Sequence, residues 1–183
     1  TLMVDEIAAQ LPGDQPLTHV FVQGGVGGLA AAVGARWWQN LAAYRPRLII
    51  VEPAWADCLW QSARRQKLTF VEVKQETIMA GLSCGEPSLL AWNILQAGAH
   101  DFITIEDKLI SPAMRLLARQ NVESGESGAA GVAGLLAAAA NDALRQALNL
   151  QADSRVLAFG TEGATDAEIY RRLVEDGIGD EVI

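Results

Sequence analysis

Short apolar runs rich in β-branched residues alternate along this chain with longer stretches of helical spacing. Strand-like runs stand at 18–22 (THVFV), 47–51 (RLIIV), 69–73 (TFVEV), 101–105 (DFITI) and 155–159 (RVLAF), each entered from a charged, proline-bearing or polar turn. Between them the spacing of apolar residues predicts helices over about 27–43, 54–65, 87–98, 108–119 and 127–148, with a last one near 165–176. The opening TLMVDEIAAQL adds helical spacing of Leu2, Met3, Ile7, Ala8 and Leu11. Uniformly apolar strands bounded by helices imply an α/β fold, with a parallel sheet buried on both faces and right-handed crossovers. No internal repeat, low-complexity tract or linker breaks the pattern. The expectation is one α/β domain over 1–183, or one large part of such a domain.

Composition narrows the class. With 183 residues, 50% hydrophobic and 20% charged, the chain can bury a sizeable core and is not of disordered type. A formal charge of −8 without any clustered Lys/Arg stripe argues against nucleic acid as a partner. Cys58 and Cys84 are too few for a disulfide framework and lack C-x-x-C spacing, so small buried thiols in a reducing cytoplasm are expected. The longest small-apolar run, Gly128–Ala140, is too short to span a bilayer, and no secretion signal opens the sequence. A cytoplasmic protein with no membrane partner is expected. Because the first residue is Thr1 and helical spacing begins at once, the sequence reads as a fragment of something longer.

The run THVFVQGGVGGLAAAVG (18–34) ends a strand at Gln23 and places four glycines within 24–28 before helical spacing resumes. A turn leaving the C-terminal end of a strand delivers backbone N–H groups and the positive end of a helix into the binding crevice, which favours phosphate. Gly24, Gly25, Gly27 and Gly28 remove the Cβ atoms that would block an anion. Two ligand classes compete for the turn. Gly25-Val-Gly27-Gly-Leu-Ala30 fits the G-x-G-x-x-G/A fingerprint of a Rossmann-type dinucleotide-binding module, and Glu52 ends the next strand as a candidate ribose acceptor. Against that, Glu52 stands 27 residues after Gly25, where the fingerprint wants about 20.

Downstream, VESGESGAAGVAGLLAAAAN (122–141) and LAFGTEGATD (157–166) each bring hydroxyls, a glutamate and glycines to an element boundary. Ser124 or Ser127 can cap the helix that follows the first, and Thr165 or Asp166 the helix after the second. With parallel strands, three glycine-hydroxyl loops share one sheet edge. Such an edge suits a cofactor with a phosphate at one end and a polar ring atom at the other.

QGGVGGLA, TIMAGLSCGEPSLLAWNIL (77–95), SGESGAAG (124–131) and GTEGATD (160–166), in this order, closely resemble the diaminopropionate ammonia-lyases. These are pyridoxal-phosphate enzymes of fold type II, related to the tryptophan synthase β chain. The resemblance covers essentially the whole sequence and corresponds to the C-terminal half of such an enzyme. It implies a three-layer αβα large domain, a homodimer and a small amino-acid substrate. The reaction implied is β-elimination of 2,3-diaminopropionate to pyruvate and ammonia, in amino-acid catabolism. It also implies that Gly24, Gly25, Val26, Gly27, Gly28 and Leu29 form the loop whose amides take the cofactor phosphate, and that Thr161 stands beside the pyridine nitrogen. Glu126 and Glu86 lie in family motifs and receive no catalytic role; solvated helix-end carboxylates are expected.

One departure limits the chemistry. A pyridoxal-phosphate enzyme needs a lysine to hold the cofactor covalently and move the α-proton. Lys67, Lys74 and Lys108 are the only lysines, and none stands in the family's lysine motif. The catalytic residues are therefore unknown from these 183 residues, and the chain alone is expected to be inactive. His19 and His100 form neither a ligand pair nor a dyad by spacing, and no metal site is expected.

Overall fold

The computed structural model describes residues 2–12, 16–41 and 45–175. Four strands, β1 (His19–Gln23), β2 (Arg47–Pro53), β3 (Asp101–Ile105) and β4 (Val156–Ala158), form a sheet in the order β3-β2-β1-β4. Every pairing is parallel: Phe21 lies opposite Ile49 and Ala158, and Val51 opposite Ile103.

Helices cover both faces because the strands are apolar on both. Val20, Val22, Leu48 and Ile50 pack under α2 (Gly28–Leu41), α3 (Cys58–Arg65) and α4 (Leu89–Gly98), with Val33, Leu59 and Leu95 fully buried among them. The alternate residues Phe21, Ile49, Val51 and Ile103 meet α5 (Ile110–Arg119) and α6 (Ala130–Ala140) on the opposite face. α7 (Asp142–Ala147) and α8 (Ala167–Val174) border that second layer, and α1 (Leu2–Gln10) inserts Val4 beside α2. The expected three-layer αβα architecture is thus observed. Among the described residues no helix is long and apolar enough to cross a membrane.

Three expectations need correction. Residues 69–73 form no strand: Thr69 N–H donates to Ser62 Oγ at 2.9 Å and Val71 N–H to the Gly85 carbonyl at 2.9 Å. Phe70 is exposed, so the alternation there marks a half-covered loop strapped over α3. The long helix expected over 127–148 is two. Asn141 takes an extended conformation and its Oδ1 accepts the Leu144 N–H at 3.0 Å, an N-cap that restarts the helix as α7. The helix expected from 54 begins only at Cys58.

The strand order has a functional consequence. From β1 the chain crosses to β2 on one side, while β4 returns to pair on the other. The carboxyl ends of β1 and β4 therefore flank a topological switch point, where loops diverge and leave a crevice.

Candidate cofactor site

The glycine turn leaves β1 at that crevice. Gly24 N–H donates to the Val51 carbonyl at 2.8 Å, extending the ladder by one bond, and Gly27 N–H donates to the Gly24 carbonyl at 3.0 Å. Both amides are thus consumed within the fold. Gly25 and Gly27 sit at φ +56° and +94°, a region L side chains rarely adopt. α2 starts at Gly28, and its first i to i−4 type bond runs from Ala31 N–H to the Gly27 carbonyl at 2.8 Å. The amides of Gly28, Leu29 and Ala30 precede that bond and have no intrahelical acceptor.

The remaining glycines have different causes. A Cβ at Gly24 would lie 2.6 Å from Glu52 Cγ, so this glycine allows close packing. A Cβ at Gly28 would meet no atom within 4 Å. Among the described residues no contact requires a glycine there, yet the residue borders a cavity of about 330 Å³. A bare helix start facing an open cavity is what an anion needs to approach the backbone.

Two further loops close that cavity. Thr161 follows β4, and its Oγ1 accepts a hydrogen bond from Gln23 Nε2 at 3.0 Å. The next residue, Glu162, receives the Ser127 and Gly128 amides on one carboxylate oxygen at 2.7 and 3.0 Å. Cβ atoms at Gly125 and Gly128 would strike the carbonyls of Gly163 and Glu162, so the two loops pack backbone against backbone. Ser127 Oγ accepts the Gly81 N–H at 3.0 Å, which brings the 77–82 segment to the same wall. All three glycine-bearing loops therefore meet at one cavity at the carboxyl end of the sheet. They differ in what their amides already hold: Glu162 occupies the Ser127 and Gly128 amides of the 124–131 loop, whereas among the described residues nothing lies within 4 Å of a Cβ built at Gly28.

Glu52 does not serve a ribose. It is fully buried, and its two oxygens accept the Leu59 and Trp60 amides at 2.9 and 2.6 Å, capping α3 from another element. Burial pushes its pKa up to about 8. The acid that made a dinucleotide reading attractive is thus spent within the fold.

Glu126, expected to be solvated, is 8% exposed, and burial raises its pKa, with Glu162 and Asp166 adding to the rise. Glu86 is exposed. Cys58 is buried with its thiol 3.5 Å from the Gly25 carbonyl, and burial together with Glu52 raises its pKa. Cys84 is only partly buried and borders the cavity. His19 bonds the Leu148 carbonyl through Nε2 at 2.9 Å. His100 Nδ1 accepts the Leu48 N–H at 3.0 Å, and both histidines lie at the amino end of the sheet, away from the glycine turn. Among the described residues no group of three or more His, Cys, Asp or Glu side chains is placed to hold a metal ion. A larger cleft of about 650 Å³ lies beside Trp55, Ile78 and Lys108. None of the three loops opens into it, so its size carries no weight against the smaller cavity.

Residues 2–162 match the model of the family described as pyridoxal-phosphate dependent enzymes. The chain belongs to this family. It is 39% identical over 169 residues to diaminopropionate ammonia-lyase of Escherichia coli (strain K12), a match covering 87% of this chain and 42% of that protein. A crystal structure of the Escherichia coli enzyme in complex with an aminoacrylate-PLP azomethine reaction intermediate superposes with a TM-score of 0.86 at 35% identity, covering 97% of this chain and 47% of that one. The processed form of threonine deaminase isoform 2 from Solanum lycopersicum shares the fold, at a TM-score of 0.77 and 20% identity. The chain therefore spans about half the length of the curated relatives it matches. Membership in this family, with Glu52 withdrawn from the crevice, disfavours the dinucleotide module.

The glycines drew attention to this turn in the sequence, but Gln23, Ser127 and Glu162 were not singled out as site residues. For Gln23 the available signal was a polar side chain closing the apolar run Val20–Val22, at the position that faces the switch point.

Proposed function

We propose that this chain forms the cofactor-binding part of a diaminopropionate ammonia-lyase, which converts 2,3-diaminopropionate to pyruvate and ammonia by pyridoxal-phosphate-dependent α,β-elimination. The single observation that carries this reading is the bare Gly28 at the start of α2, facing a cavity that Thr161 closes from the neighbouring strand end. Gln23 adds support: it is buried, and one of its amide heteroatoms has no partner. Bound pyridoxal phosphate supplies the electron sink that lets the β-amino group depart. The residues of the chain do the holding. Gly24 to Leu29 form the phosphate turn, in which the Gly25, Gly28 and Leu29 amides can face the anion while those of Gly24 and Gly27 brace the loop. Thr161 presents a neutral hydroxyl to the pyridine nitrogen, so the ring is not forced into its protonated form as a carboxylate would force it. Glu162 keeps the amides of the 124–131 loop from competing for the phosphate.

None of Lys67, Lys74 and Lys108 borders the cavity, so we assign the covalent lysine to another part of the enzyme. We take residues 1–183, an α/β domain or the C-terminal portion of one, as the large-domain part of the enzyme. We also assign the enzyme a homodimeric state and a cytoplasmic setting. Exposed Phe70, Leu89 and Leu90 support association, and the two free cysteines suit a reducing compartment.

The test is equilibrium dialysis of the chain against pyridoxal phosphate with inorganic phosphate as competitor. The expected result is one saturable site displaced by phosphate. Binding that phosphate does not displace, or no binding, contradicts the reading.

A further inference from the structure

We propose that Gln23 sets the direction of the hydrogen bond that Thr161 makes to the ring nitrogen of the bound cofactor. The inference rests on the pyridoxal-phosphate reading above and assigns a positioning role to a residue of the same cavity.

Gln23 is the last residue of β1, and Thr161 lies three residues beyond the end of β4, the strand paired with β1. Gln23 is 5% exposed and borders the cavity beside the glycine turn. Its Nε2 donates to Thr161 Oγ1 at 3.0 Å, and its Oε1 is buried with no partner. A buried acceptor without a donor costs stability that a methionine of similar shape would avoid, so packing does not account for the glutamine.

Hydrogen-bond directionality does account for it. A threonine hydroxyl has one proton to give and lone pairs to receive. With its oxygen already receiving the Gln23 amide proton, the Thr161 hydroxyl cannot donate back to that nitrogen. Its own proton turns to the other partner within reach, which in the loaded cavity is the ring nitrogen. That nitrogen then meets a donor and stays unprotonated. With the opposite polarity at position 23, an acceptor would take the Thr161 proton, and the hydroxyl would be left to receive a proton from a protonated ring. Gln23 and Thr161 thus form a relay of fixed sense, Gln23 to Thr161 to ring.

The test loads the chain with pyridoxal phosphate labelled with ¹⁵N in the ring and compares the ring nitrogen resonance in wild type, Gln23→Met and Gln23→Glu. The expected wild-type resonance is that of an unprotonated, hydrogen-bonded nitrogen. Gln23→Glu, measured at a pH high enough to ionise the buried carboxyl, moves it towards the protonated form, because the carboxylate accepts the Thr161 hydroxyl proton in a hydrogen bond. Gln23→Met releases the hydroxyl, shifts the resonance away from the hydrogen-bonded position and weakens cofactor binding by roughly threefold to tenfold, the worth of one neutral hydrogen bond. Melting temperatures of the three proteins separate this role from a structural one, which would move stability and leave the resonance in place. Should Gln23→Glu fail to fold, Gln23→Met decides. A protonated ring in wild type, or one resonance common to all the folded proteins, overturns the inference while leaving the cofactor site standing. Failure of the wild type to bind removes the site and the inference together.

Discussion

Gly24 and Glu52 share one space: any side chain at position 24 would begin 2.6 Å from Glu52 Cγ, and the Glu52 carboxylate beyond it holds the first amides of α3. The glycine turn and the start of α3 are therefore braced by one buried acid. In Glu52→Gln a single acceptor must serve two donors, and the new amide group faces a backbone N–H. That loss is expected to destabilise the chain by about 1–3 kcal/mol. Urea denaturation of both proteins measures it, and equal midpoints would contradict the bracing.

The same acid gives stability a pH dependence of definite sign. Its folded pKa of about 8 lies above the ordinary value of 4.5, so between those values the folded chain binds a proton that the unfolded chain has released. The stabilisation is complete below about 4.5 and is lost as pH rises through about 8. Urea midpoints of the wild type, measured against those of Glu52→Gln across this window, are expected to fall with rising pH. A difference that rises instead would mean that the carboxylate is ionised in the fold.

Glu162 ties two loops through one oxygen, so charge matters less than the acceptor. Glu162→Gln keeps an oxygen for the Ser127 and Gly128 amides and is expected to cost about 1 kcal/mol, against about 2–3 kcal/mol for Glu162→Ala, which strands both donors. Hydrogen exchange at those two amides is the direct reading: fast in Glu162→Ala, protected in Glu162→Gln. Equal exchange in the two variants would contradict the tie.

Lysine chemistry supplies a further check. Lys67 and Lys74 are exposed, and Lys108 pairs with Glu106 at 3.1 Å in a different cleft. After pyridoxal phosphate and borohydride, labelling scattered over these lysines is expected, with pyruvate release from 2,3-diaminopropionate at background. Stoichiometric labelling of one lysine together with turnover would show that the chain contains its own covalent site.

The strands of the buried sheet were legible because residues such as Val20 to Val22 and Leu48 to Val51 are apolar on both faces, which a two-sided sheet alone demands. The run 69–73 misled because short alternation describes a half-covered strap as well as a strand; the Ser62 hydroxyl and the Gly85 carbonyl that take its amides cannot be inferred from spacing. Glycines 24, 25, 27 and 28 announced a turn, yet the same letter hid three different causes: packing against Glu52, positive φ, and open space. Glu52 and Glu162 were illegible as braces because each caps amides of another segment, and for Glu162 those amides lie 34 and 35 residues away in sequence.

If Gly28 is a glycine for the ligand and not for the fold, Gly28→Ala separates the two roles. Because the added methyl meets no protein atom within 4 Å and alanine suits a helix start better than glycine, the melting temperature is expected to hold or rise. Pyridoxal phosphate binding by the same protein, measured by equilibrium dialysis, is expected to weaken by about tenfold or more, since losing close contact with one charged-group hydrogen bond costs about 1.5–3 kcal/mol. A Gly28→Ala chain that melts as the wild type does and binds pyridoxal phosphate with undiminished affinity would contradict the account.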